Sequence, residues 1–287
     1  MCDQDQLIDM GRRGVSRREF GAMGAMAALA ACASVEAEAQ QGGLTETDAS
    51  FAAPGGTMDA VFIHPASGKH PAVILWPDIA GIREAKKIMA RRLAAAGYSV
   101  LVPNPYYRSL PAPQFADFDA WRSGGGMQKV GPWMAQNTPA AIAETTRAVV
   151  AWLDQQDSVD TGKGVGVQGY CMTGSWTIRG AAAVPSRIRA AASFHGGGLV
   201  GEAPDSPHLL FDESRAAHLI AIARNDDAQQ PTHKEILKAA AAAANRPAEI
   251  EVYDADHGWT VPDSPSYDQA EADRAWARLL NLYKTNL

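Results

Sequence analysis

Apolar positions in this chain fall into brief runs of strand length, separated by longer stretches with helical character. Residues 72–76, 99–102, 164–168, 190–194, 218–223 and 249–253 are such runs and read as strands. Residues 84–96, closed by Gly97, read as a helix, as do residues 138–155, where Pro139 sits at a favoured first-turn position. The stretch from Cys171 to about residue 183, residues 232–244 and residues 267–283 complete the helical set. Alanine dominates residues 232–244, and alanine is a strong helix former, so this is a helix and not a low-complexity tail. Residues 103–138 mix Pro, Gly, Trp and Tyr without a period and are expected to form a long loop or a small cap. Strands alternating with helices predict an α/β fold, a mostly parallel twisted sheet with helices on both faces.

The N-terminus departs from this pattern. Ser16-Arg17-Arg18-Glu19-Phe20 precedes a weakly apolar run from Gly21 to Ala31, the order of a twin-arginine export signal. That reading makes the export machinery a partner and the periplasm the destination. Two processing sites compete. Ala37-Glu38-Ala39 suits signal-peptidase cleavage and is preferred, giving a leader over residues 1–39; Leu29-Ala30-Ala31-Cys32 resembles a lipoprotein box, with Cys32 as the lipid anchor. Residues 40–56 are polar and Gly-containing and are expected to be a loose lead-in to a single domain over residues 57–287.

Composition adds two constraints. The net charge of -6 favours neither nucleic acid nor an anionic membrane surface. There are 3 cysteines, and with cleavage after Ala39 only Cys171 remains, so it has no disulfide partner within the mature chain. The seven histidines show no metal-ligand spacing, and Gly196-Gly197-Gly198 lacks the strand, spacing and helix of a nucleotide loop.

Chemistry concentrates at strand ends. Gly169-Tyr170-Cys171-Met172-Thr173-Gly174 lies between a strand and a helix, where a nucleophile stands on a sharp turn with a helix N-terminus behind it. The Met172 N–H is positioned to meet an oxyanion, and the Ile79 N–H, after the strand at 72–76, is the second donor. Thr173 occupies a place where glycine is usual and is expected to crowd the turn. Asp78 lies beside the thiol and His195 begins a Gly-rich turn; both are pocket candidates, as is Trp259. Asp226 and Asp227 follow the strand at 218–223. Asp226 is chosen as the acid that orients a histidine, with Asp227 as competitor because it stands four residues before Pro231. His257, after the last strand, is the base. Nucleophile, acid and base thus follow one another in the chain order of α/β-hydrolases.

These motifs resemble the dienelactone hydrolase family within the α/β-hydrolases, from about Ala72 to the C-terminus. The resemblance implies an α/β-hydrolase fold and a Cys171–His257–Asp226 triad cleaving a small-molecule ester or lactone through an acyl-enzyme, without cofactor or metal. Two departures stand out. Asp78 occupies the oxyanion turn where studied members carry Glu, and Trp259-Thr260-Val261 follows His257-Gly258 where they carry an arginine for a substrate carboxylate. A non-catalytic binding protein or a thiol redox protein on the same scaffold are the rival readings.

Overall fold

The computed structural model describes residues 43–287; the twin-arginine motif, both processing sites and Cys32 lie outside the described residues. Eight strands form one sheet in the order β1-β2-β4-β3-β5-β6-β7-β8. They are β1 (Leu44–Ala53), β2 (Gly56–Pro65), β3 (Ala72–Trp76), β4 (Ser99–Pro103), β5 (Val165–Tyr170), β6 (Ile188–Phe194), β7 (Ala217–Ala223) and β8 (Ala248–Tyr253). From β4 across to β8 every pairing is parallel, while β1 and β2 run antiparallel at one edge. This is the mostly parallel α/β-hydrolase sheet expected from the alternation of elements.

The expected loose lead-in over residues 40–56 is corrected here. Residues 44–53 form β1, paired residue for residue with β2 from Leu44↔Pro65 to Ala53↔Gly56. Its sequence, Leu-Thr-Glu-Thr-Asp-Ala-Ser-Phe-Ala-Ala, buries little, so no apolar run marks it. The ladder itself holds the strand, together with Phe51, whose ring stacks on Trp152 at 4.9 Å.

Helices cover both faces. Helix α1 (Glu84–Ala95) packs on β2 and β4, and the last helix, α8 (Gln269–Asn286), on β6 and β7. On the opposite face α4 (Pro139–Leu153) packs on β1 and on α5 (Gly174–Ala183), which lies along β5 and β6. Thr138 caps α4 by accepting the Ala141 N–H. The segment between β4 and α4 carries two short helices, α2 (Phe118–Ser123) and α3 (Gly126–Met134), and so forms a small cap. Trp133 of α3 anchors it against Tyr106 at 5.4 Å and Phe115 at 6.2 Å. Helices α6 (Arg224–Gln229) and α7 (His233–Ala243) follow β7.

One buried group at the start of β7 gives the fold a pH dependence. His218 is enclosed by Phe211, ring edge to face at 4.8 Å, and its Nε2 meets Ser214 Oγ at 3.2 Å. Burial, with a smaller push from Arg246, drives its pKa down from 6.5 to about 3. The folded state therefore keeps His218 neutral where the unfolded chain takes up a proton. Stability from this group is complete above pH 6.5 and falls as the pH drops from 6.5 toward 3, by about 2 kcal/mol at pH 5. His218→Leu is expected to flatten the stability curve between pH 5 and 7. Denaturant titrations across that range check it, and an unchanged slope would sink the idea.

Candidate active site

Strand β5 ends at Tyr170, and the chain turns through a short 3-10 turn, Cys171–Thr173, into α5. Cys171 carries the turn at φ 54, a left-handed conformation that non-glycine residues adopt at a cost. Close packing imposes this geometry. A Cβ on Gly169 would lie 2.2 Å from the Thr173 carbonyl oxygen, and one on Gly174 would lie 2.4 Å from the Gly196 Cα. Thr173 does not crowd the turn, contrary to expectation. Its hydroxyl accepts the Tyr170 N–H at 2.9 Å and donates toward the Pro77 carbonyl, also at 2.9 Å. It thereby ties the Cys171 turn to the loop that follows β3.

The loops after β7 and β8 bring Asp226 and His257 together. The Asn225 side chain accepts the His257 N–H at 2.8 Å and fixes the loop. Nδ1 of His257 then meets Oδ2 of Asp226 at 2.8 Å. Cys171 and His257 line the same small cavity and interact electrostatically. Burial disfavours the imidazolium, but the negative charges of Cys171 and Asp226 outweigh it and hold the His257 pKa well above the ordinary value. Asp227 points elsewhere and forms an ion pair with Lys234 at 2.7 Å.

Asp78 opens the loop after β3. Its Oδ1 accepts the Ala80 N–H, and the Gly81 N–H returns to the Asp78 carbonyl, which makes a tight turn around Ile79. The Ile79 carbonyl accepts from the Tyr106 hydroxyl at 2.7 Å, and no backbone carbonyl among the described residues takes up the Ile79 N–H. The Asp78 carboxylate is fully committed. Arg83 grips both oxygens, at 2.7 and 3.0 Å, and Lys86 Nζ lies 2.8 Å from Oδ2. Burial alone would raise the Asp78 pKa; the two cations outweigh it and hold the acid well below the usual carboxylate range. Arg83 is clasped on its other edge by Asp263, at 2.7 and 2.8 Å.

The cavity beside Cys171 measures only ≈ 10 Å³, with Asp78, His195, His257 and the Phe118 ring in its wall. Phe118 comes from the cap, and its N–H donates to Asp263 Oδ2 at 3.0 Å. His195 sits at φ 39, with Nε2 3.1 Å from Thr260 Oγ1 and its ring 4.7 Å from that of His257. Burial first, and His257 and Lys86 next, push its pKa well below 6.5, so it stays neutral. Trp259, expected to meet a ligand, is corrected: it stacks on Tyr253 at 5.2 Å and backs His195 from within the core. Arg83, Lys86, Phe118 and Asp263 were not anticipated as site residues. Lys86 lies in a charged helix start, Arg-Glu-Ala-Lys-Lys, that reads as a solvated face, and Asp263 stands 180 positions from Arg83. Among the described residues no cluster of His, Cys, Asp and Glu suits a metal ion.

Comparison with known proteins places this geometry. A protein of Escherichia coli (strain K12), provisionally named a carboxymethylenebutenolidase, is 28% identical over 242 residues, covering 82% of this chain and 85% of its own. The carboxymethylenebutenolidase of Rhodococcus opacus is 27% identical, covering 81% and 88%. A crystal structure from Klebsiella pneumoniae subsp. pneumoniae, provisionally described as a dienelactone hydrolase, superposes with a TM-score of 0.71 at 26% identity, covering 84% of this chain and 98% of that one. The profile of the dienelactone hydrolase family matches residues 58–287, nearly the whole described fold, and the chain belongs to that family.

Proposed function

We propose that the enzyme hydrolyses a small carboxylic ester or lactone through an acyl-thioester on Cys171. One observation carries this reading: His257 lies between Asp226 and a thiol held on a strained turn. The kinship with carboxymethylenebutenolidases supports it. The Cys171 thiolate attacks the carbonyl carbon, and a C–S bond forms while the carbonyl electrons move to oxygen. The N–H groups of Ile79 and Met172 face that oxyanion. Collapse breaks the C–O bond, and His257 gives its proton to the departing oxygen. Water then loses a proton to His257 and attacks the thioester; the C–S bond breaks and the thiolate and imidazolium are restored. Asp226 keeps the ring in the tautomer that serves both steps.

Rapid quenching during turnover of p-nitrophenyl butyrate, followed by peptide mass spectrometry, tests the intermediate. One butyryl group is expected on the peptide containing Cys171. Steady turnover with no acyl group on that peptide would exclude the thioester route.

A further inference from the structure

The cavity wall contains, among the described residues, no lysine or arginine. The His257 charge is met by Cys171 and Asp226, and the cations that reach this wall through Asp78, Arg83 and Lys86, are both occupied. Arg83 spends three donors on the two oxygens of Asp78 and the Gly81 carbonyl, and turns its Nε edge to Asp263. Lys86 faces Asp78 and the Tyr170 ring at 4.3 Å. Two carboxylates therefore meet two cations, and burial lowers the Lys86 pKa, so the local balance is neutral or negative. The rest of the wall is Phe118, Gly258 and Val261, with the Ser264 hydroxyl and the neutral His195 as its polar members. An acyl chain bearing its own carboxylate would leave water without gaining a cationic partner.

Asp263 links this charge balance to the cap. The same Oδ2 that accepts from Arg83 accepts the Phe118 N–H, and the Arg83 guanidinium lies over the Phe118 ring at 5.6 Å. Resting on the ester-hydrolysis reading above, we propose that Asp263 is a specificity-determining residue. By neutralising the outer edge of Arg83 and pinning Phe118, it makes the site take uncharged acyl groups and turn away those that carry a carboxylate.

The test compares kcat/KM for p-nitrophenyl butyrate and p-nitrophenyl hemisuccinate, whose acyl chains have equal length and differ in a terminal carboxylate. The native enzyme is expected to favour butyrate by about 100-fold, the scale of burying an unpaired charge. Asp263→Asn leaves Arg83 with an open donor edge and is expected to shift the ratio toward hemisuccinate by about tenfold or more. Asp263→Ser makes the same charge change with a smaller group, so one misfolded variant does not decide the result. Asp263→Glu is expected to restore the native preference. Using a ratio cancels any general loss of activity. A native preference for hemisuccinate, or an unchanged ratio in a folded Asn or Ser variant, would overturn the proposal while leaving hydrolysis intact. Failure of the native enzyme on both esters, with no acyl group on Cys171, would instead remove the hydrolase reading beneath it.

Discussion

Cys171→Ala is expected to abolish ester turnover, by as much as about 10⁶-fold, the scale seen when a triad loses its nucleophile. The hydroxyls at hand are otherwise engaged: Thr173 Oγ1 by the Tyr170 N–H and the Pro77 carbonyl, and Ser264 Oγ, in the cavity wall, by the Ser266 N–H at 3.2 Å. Alanine fits the turn sterically but keeps the φ 54 strain, so the folded state should persist. Steady-state rates with p-nitrophenyl butyrate, alongside circular dichroism, check both halves of the expectation. Residual activity above about a hundredth of the native rate would move the nucleophile elsewhere. The same experiment on His257→Ala separates hydrolysis from thiol redox chemistry, because a redox thiol survives without its base and an acyl-transfer thiol does not.

Asp226→Asn is expected to reduce turnover by about 10⁴-fold, whereas Asp227→Asn is expected to change it little. The two residues are neighbours in sequence with separate partners. Asp226 holds Nδ1 of His257 at 2.8 Å in a part-buried contact. An amide there offers an N–H to the same ring nitrogen and selects the wrong tautomer, so the nitrogen facing Cys171 keeps its proton when it should accept one. Asp227 is part-buried to a similar degree but pairs with Lys234 instead of the histidine, and a solvent-accessible pair of this kind is worth about 0–1 kcal/mol. Steady-state kinetics of the two variants decide the matter; the reverse pattern would transfer the role to Asp227.

The parallel half of the sheet was legible because its strands, β8 excepted, are buried on both faces and so stand out as apolar runs. Strands β3 to β8 begin and end within a few residues of the runs that announced them. Strand β1 was hidden for the opposite reason. A polar edge strand owes its place to hydrogen bonds with β2, and hydrogen bonds leave no mark in side-chain pattern. The choice of Asp226 over Asp227 followed from counting residues past a strand end, and the loop geometry agrees with that count. Thr173 was misjudged because its side chain was weighed as bulk, while its hydroxyl supplies the hydrogen bonds at the base of the turn. The Arg83–Asp263 contact joins positions 180 residues apart, and Lys86 is wholly buried in a segment that looks solvated. Neither has a local signature: the first depends on where the loop after β8 lies, the second on the turn at Asp78 and the Tyr170 ring.

A cavity of ≈ 10 Å³ holds about one water molecule, and no acyl chain. If an ester enters only when Phe118, the cap residue in that wall, stands aside, the measured KM reports the population of that open form as well as the fit of the ester. If the open form amounts to about one molecule in a hundred, every apparent affinity is weakened by about the same hundredfold, whatever the ester. Loosening the cap without touching Asp263 then lowers all KM values in parallel. Phe118 thus enters twice, as part of the wall that sorts esters and as the first residue of a six-residue helix whose position sets how often that wall gives way.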